Sequence, residues 1–274
     1  MKIAFFLLFI TLFFFGKSCV CQTYQGRVLD ESTNHALAYV NIGILNSNYG
    51  TTTDENGNYK LFLKNANDET LVRFSMIGYK PQIHSLKDLE KESTVKLLVN
   101  NIQLQEVTIH SPTLREDKVG TKASSNKIVT GWGNFGKGGE RGLKIDLKDQ
   151  SSQIMDLNFY IAQNLFDSVL LRLHVRKITD RTPSQELLNQ NVFIKVRIKN
   201  GWVKFDLTDY NLIFRNEIAV TLEWVKAWGV CKDGNCLLFS LNAIKGTLYA
   251  KEASESTWTV KSSKSPGIYL TVLN

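Results

Sequence analysis

Gly50-Thr51-Thr52-Thr53-Asp54-Glu55-Asn56-Gly57-Asn58-Tyr59 decides how the first third of this chain is read. Asn56-Gly57 is a tight-turn signal, because such turns need backbone with φ > 0, which Asn tolerates and Gly adopts freely. The β-branched run Thr51-Thr52-Thr53 precedes it. After it, Tyr59, Leu61 and Leu63 alternate with Lys60 and Phe62, the pattern of a strand with one buried face. The stretch therefore reads as a hairpin.

The same cadence continues outward. Gly26-Arg27-Val28-Leu29-Asp30 opens the region, and Ala38-Tyr39-Val40-Asn41-Ile42 follows. Leu71-Val72-Arg73-Phe74-Ser75 then leads to Ile77-Gly78-Tyr79-Lys80, and Thr94 to Leu97 and Val107 to Ile109 supply late strands. About seven short strands over residues 22–110 make the pattern of a small sandwich. In this order the segments resemble the carboxypeptidase regulatory-like domain, a transthyretin/Ig-like β-sandwich that accompanies zinc carboxypeptidases and occurs in bacterial envelope proteins. The resemblance implies a fold and a compartment. It implies no reaction.

The histidines bear on that point. A zinc carboxypeptidase holds its metal with two His and a Glu, leaving one position open for water, and in that family the first His and the Glu sit in a His-x-x-Glu string. His35, His84, His110 and His174 are followed three residues later by Ala38, Lys87, Thr113 and Lys177. None fits. Asp54-Glu55-Asn56 lacks the carboxylate spacing and terminal Glu of a calcium loop, and turn chemistry explains it more simply. The sequence thus offers no catalytic residue, no metal ligand set and no cofactor site, and the protein reads as a non-enzyme.

The chain has 274 residues with 33 basic and 26 acidic side chains, a formal charge of +7. Its length suits two domains with separate cores. Met1-Lys2 precedes an apolar run over residues 3–15, interrupted by Thr11, and small residues follow. That is the build of a secretory signal peptide, and the run falls short of the ~20 residues a bilayer core requires. Residues 1–21 are read as that signal, with Cys19 and Cys21 at −3 and −1 and Gln22 as the new N-terminus. Its removal takes away Lys2 and Lys17, leaving 31 basic against 26 acidic residues, or +5. The rival is a lipoprotein with Cys19 lipidated, against which Lys17 stands where a small residue is usual. Either way the protein is exported, to the periplasm, the outer membrane surface or the extracellular space. The remaining Cys231 and Cys236 flank Lys232-Asp233-Gly234-Asn235, where Asp233-Gly234 is a two-residue turn. A cross-strand disulfide is expected, in an oxidising compartment; two free thiols are the alternative.

Residues 111–127 lose apolar periodicity and read as a linker. Gly131-Trp132-Gly133-Asn134-Phe135-Gly136 then matches the dinucleotide pattern G-x-G-x-x-G, but an alternating strand from Leu143 follows instead of the phosphate-cradling helix that pattern needs. Residues 128–274 form the second domain. Leu157, Phe159 and Ile161, then Leu171, Leu173 and Val175, then Ile194, Val196 and Ile198, then Ile218, Val220, Leu222 and Trp224 each alternate with polar residues. One helix is expected at 183–189, with Thr182 as N-cap, Pro183 at the first helical position and Gln185 closing a capping box. Nine or ten strands with long connections favour a jelly-roll-like sandwich. The fold class is all-β, with two sandwich domains. Strings such as Asn164 to Ser168, Asp206 to Asn211 and Leu222 to Trp224 look like those in bacterial envelope proteins that pair the same two modules, and their acidic residues read as caps.

Arg172, His174 and Arg176 share one side of a strand, and Lys195, Arg197 and Lys199 share a comparable side of another. As neighbours they form a candidate basic binding face; alone they are a solvated outer face. Interleaved aromatics are missing there, so nucleic acid is not expected. Trp202, Trp224, Trp228 and Trp258 are core anchors or, in part, a sugar-stacking platform, with Trp224 on the apolar side of its strand. The leading expectation is an exported, non-enzymatic envelope protein with structural or partner-binding work, its partner an envelope protein or a glycan, in association with the outer membrane. A carbohydrate-binding jelly roll is the alternative, and exposed Trp or Tyr rings beside Asp or Asn would favour it. A hydrolase remains only if its site assembles in space.

Overall fold

The computed structural model describes residues 21–64, 66–100, 115–132, 138–232 and 234–274. The first domain runs β1 (Cys21–Asp30), β2 (Asn41–Ile44), β3 (Gly50–Thr52), β4 (Asn58–Lys64), β5 (Leu71–Ser75), β6 (Gln82–Ser85), a helix α1 (Leu86–Lys91) and β7 (Thr94–Leu97). These form two sheets, β4-β1-β7 and β3-β2-β5-β6. Val28, Leu61 and Leu97 from the first meet Ile42, Val72 and Phe74 from the second in one buried core. Full burial of each such side chain contributes about 1.5–3 kcal/mol. Along β4 the alternation holds residue by residue, with Tyr59, Leu61 and Leu63 buried and Lys60 and Phe62 exposed.

The turn at Asn56-Gly57 forms, but it does not close a hairpin. β3 pairs with β2 and β4 pairs with β1, so the turn carries the chain from one sheet to the other. Asp54 holds it: its Oδ1 accepts from the backbone N–H groups of Asn56 and Asn58 at 2.9 and 2.8 Å. Gly57 adopts φ 75° and packs so tightly that a Cβ would sit 2.7 Å from the Val28 carbonyl oxygen. Helix α1 was not expected. Its signal is a short capping box, in which Ser85 and Asp88 cap each other's backbone N–H, with Leu86 and Leu89 buried one turn apart.

The second domain runs β8 (Glu116–Gly120), β9 (Val129–Trp132), β10 (Glu140–Asp146), β11 (Ser152–Asn164), β12 (Ser168–Thr179), β13 (Thr182–Glu186), β14 (Val192–Val196) and β15 (Gly201–Asp206). It continues through β16 (Ile213–Phe214), β17 (Glu217–Trp228), β18 (Leu237–Asn242), β19 (Thr247–Lys251), β20 (Thr259–Ser262), β21 (Ser265–Pro266) and β22 (Ile268–Leu273). One sheet has the order β13-β12-β17-β10-β19-β20, with β14 also on β12. The other has the order β21-β18-β11-β22-β8, with β15 and β16 on β11 and β9 on β18. Leu171, Leu173, Val220 and Leu222 from one face Leu157, Phe159, Phe239 and Leu270 from the other. Trp132 is buried among them, edge-on to Trp224 and Phe239. The protein is all-β and sandwich-built, as its alternation predicts.

Two expectations are corrected, and a third is met in a different setting. The segment read as a linker contributes β8, which pairs with β22 and belongs to the second sandwich. The segment read as a helix at 183–189 is mostly β13, because Asp180 and Arg181 both take left-handed φ (50° and 65°) and turn the chain straight back along β12. The Cys231–Cys236 disulfide is present, with Cα atoms 6.0 Å apart. Its setting differs: β17 stops at Trp228 and β18 starts at Leu237, so it staples a loop between strands and not a ladder pair. The signal segment before Cys21, and Asp233 in the expected turn, lie outside the described residues. So do residues 133–137 of the glycine-rich stretch, which leads into strand β10 and not a helix.

The first domain lies on the outer face of the β12–β17–β10–β19 sheet. Arg172 donates to the carbonyl of Tyr39 at 2.6 Å, Asn191 to that of Ile77 at 3.2 Å, and Lys226 pairs with Glu55 at 2.8 Å.

Candidate functional site

Between the two sandwiches, strand register assembles a buried cluster of charge. Arg172 on β12 stands opposite Glu223 on β17, Glu223 opposite Glu140 on β10, and Glu140 opposite Lys251 on β19. One lateral row across four strands thus carries two cations outside and two carboxylates inside. His174 and Arg176 follow on β12, and the β12–β13 hairpin brings Glu186 alongside them. The inner residues alternate with the core side chains on the same strands, so the pleat that buries Leu171, Leu173 and Leu222 turns this set toward the first domain.

The contacts interlock. Arg172 Nε lies 3.2 Å from Glu223 Oε2, and its Nη1 donates to Asn191 Oδ1 at 3.1 Å. His174 meets Glu186 through Nδ1 at 2.6 Å and Glu223 through Nε2 at 2.8 Å. Arg176 forks onto Glu140, one nitrogen 3.0 Å from Oε1, and Thr221 donates to the same carboxylate. Lys251 Nζ lies 3.0 Å from Glu140 Oε1. From the first domain, Asn41 donates its side-chain amide to Glu223 Oε2 at 3.2 Å.

The protonation states follow from this geometry. Burial opposes ionisation of Glu140, but Arg176, Lys251 and His174 outweigh it and hold the carboxyl well below its usual range. Burial likewise opposes charge on Glu223, where Arg172 and His174 prevail, and on Glu186, where Arg176 and His174 do. For His174, burial and Arg176 disfavour the imidazolium, yet Glu140 and Glu186 overcome both and raise its pKa. A ring with a carboxylate on each nitrogen is a double donor, hence protonated. Arg176 Nη2 also lies 2.8 Å from Nδ1; with the ring protonated this is a close approach of two cations bridged by shared carboxylates.

Such a cluster depends on being complete. Taking charges out of water costs about as much as their pairing returns, but removing one partner strands the others at a cost of about 3–5 kcal/mol. Chemically, His174 is a poor general base, because neither ring nitrogen is free to take a proton from a substrate. Its partners are Glu186, Glu223 and Arg176. Among the described residues, no group of three or more His, Cys, Asp or Glu side chains is arranged to hold a metal ion. A cleft of about 520 Å³ opens onto the cluster, with Arg73, Tyr79, Gln185, Glu255 and Trp258 along its walls. Arg73 of the first domain pairs across it with Glu255 of the second at 3.2 Å.

Of the residues read as a basic face, Arg172, His174 and Arg176 come together here, buried, and are not a solvated surface. Lys195 and Arg197 stay exposed. Lys195 shares the sheet face but turns onto the Trp228 ring, 4.2 Å from its centre. Glu140, Glu186, Glu223, Lys251 and Asn41 were missed. The reading of acidic residues as caps at strand ends fails for Glu223, which is mid-strand in β17 and fully buried. Its only signal is a lone carboxylate inside an apolar run.

Residues 24–109 match the family model of the CarboxypepD_reg-like domain, and this part of the chain is similar to such a domain. A comparison with curated proteins gives no match.

Proposed function

We propose that this chain is a non-enzymatic, exported module of the bacterial envelope, in which the CarboxypepD_reg-like domain is locked onto a larger β-sandwich and holds it in one orientation for a partner. The observation that carries this reading is the engagement of His174 on both ring nitrogens by Glu186 and Glu223, beneath the covering first domain. A histidine spent in this way is a structural cation. Support also comes from the family match, whose domain is regulatory, and from the apolar N-terminal segment of the sequence.

Two measurements test it. Intact-mass analysis of protein from its native envelope is expected to give a chain starting at or near Gln22; retention of the first 21 residues would remove the export argument, and a diacylated Cys19 would favour the lipoprotein form. Purified protein is expected to carry no stoichiometric zinc and to release no C-terminal residues from peptides. Zinc at one per chain with peptidase activity, both abolished by His174→Gln, would overturn the non-enzymatic reading.

A further inference from the structure

The far side of the second sandwich carries a feature that the interdomain cluster does not use. Strand β15 alternates strictly: Val203 and Phe205 pack against the core, while Trp202, Lys204 and Asp206 face outward. Trp202 is 39% exposed. It stands opposite Tyr160 of β11, and Tyr269 of β22 reaches it from the other side. The three rings touch in sequence, Tyr160 to Trp202 with centroids 5.3 Å apart and Trp202 to Tyr269 at 5.2 Å. Three contiguous rings on an outer sheet face differ from the singly scattered apolar residues that every surface shows.

Polar groups are fixed at their foot. Asp156 and Asn158, both buried, lie on the same outward side of β11. Asn158 donates its amide to Asp156, and Lys204 pairs with Asp156 at 3.0 Å. Asn200 accepts from the Tyr160 hydroxyl at 3.2 Å. Lys122 stands 5.5 Å over the Tyr269 ring. Charges around the rings come in both signs: Lys118 and Glu116 on β8, Lys204 and Asp206 on β15, with Lys204 already neutralised by Asp156. The patch therefore has hydrogen-bonding capacity without a strong field of either sign.

We propose that this face binds a neutral polysaccharide. A sugar ring presents an apolar C–H face that packs on the electron-rich face of Trp or Tyr, while its hydroxyls need donors and acceptors at the edge of the stack. Trp and Tyr supply such contact with few rotors to freeze. Trp202 gives the stacking ring, with Tyr160 and Tyr269 edge-on to it, and the exposed Asn200 and Lys204 give the edge, Lys204 being held in place by the buried Asp156. The absence of a dominant charge favours a neutral chain over a uronate-bearing one. This names a partner for the module proposed above, but it rests on the second sandwich alone.

The test is an array of neutral and uronate-bearing oligosaccharides probed with the full chain, followed by titration of the best binder. Binding to a neutral oligosaccharide is expected, weakened about tenfold or more by Trp202→Ala and largely retained in Trp202→Tyr. It should persist at about 1 M salt, where charges are screened beyond about 3 Å. Circular dichroism and an unchanged urea midpoint show that the variants fold. The proposal is overturned by binding to no neutral member, by binding confined to uronates and lost in salt, or by affinity unchanged in the Trp202→Ala/Tyr160→Ala double variant. Release of reducing sugar from a bound oligosaccharide would overturn the non-enzymatic reading and leave the platform standing; failure to bind would remove the platform and leave that reading intact.

Discussion

The guanidinium of Arg172, which has no exposed surface, donates to the main-chain carbonyl of Tyr39 in the other domain. Tyr39 presents that carbonyl from a left-handed conformation, φ 62°, which non-glycine residues adopt rarely. Its ring packs edge-on against Phe193, and Arg172 lies over the same Phe193 ring at 5.3 Å. A strained backbone, an aromatic pair and a buried cation thus meet at one point where the two sandwiches join.

Arg172→Ala is expected to cost about 3–5 kcal/mol, because Glu223 would stay buried with its Arg partner gone. Lysine is not expected to rescue it, since one ammonium cannot span Tyr39, Asn191 and Glu223 as the planar fork does. Urea denaturation gives the stability, and limited proteolysis should show the first domain cut earlier than in the wild type. A change under 1 kcal/mol would mean that the cluster is not the joint.

His174 makes the joint sensitive to pH. Its pKa is raised in the folded protein above the ordinary value of about 6.5. The unfolded chain therefore releases this proton first as pH rises. The stabilisation is fully present below about pH 6.5 and is lost as pH climbs through the higher folded value. Glu140, Glu186 and Glu223 act oppositely: their pKa values are lowered, so their contribution is present above the ordinary carboxylate range and is lost as pH falls through the folded values. The urea midpoint should fall toward alkaline pH, and His174→Gln should flatten that limb. A wild-type midpoint level from about pH 6 to 9 would contradict the assignment.

Gly57→Ala should destabilise by at least about 1–2 kcal/mol, the cost of forcing a side chain into left-handed backbone. The added Cβ also meets the Val28 carbonyl, which is backbone in the central strand β1 and cannot move aside. Thermal unfolding measures this. A neutral result would mean that the turn relaxes freely.

Reduction of Cys231–Cys236 should cost about 2 kcal/mol, small because the closed loop is short. Thiol labelling of denatured, unreduced protein should find neither cysteine reactive, and the reduced form should keep its β-sheet circular dichroism. Two labelled thiols per chain would show that the bond does not form in the cell.

The sequence by itself determined what is local. The period-two alternation of Tyr59, Leu61 and Leu63, and of Leu171, Leu173 and Val175, is set by the pleat and needs no knowledge of partners, so the all-β class and both cores were readable. The turn at Asn56-Gly57 was readable for the same reason, since positive φ is a property of one residue. Which strands that turn connects was not, because pairing in different sheets depends on contacts far along the chain. The hairpin at Asp180-Arg181 escaped because neither residue advertises left-handed backbone as glycine does, and Pro183 and Gln185 imitate a helix start. Arg172, His174 and Arg176 were legible as one stripe, but their meaning was inverted. Only strand register puts Glu223 and Glu140 beside them, and only the packing of the first domain removes the water. A basic stripe and a buried ion cluster have the same sequence; the difference is the dielectric around them, which the tertiary structure decides.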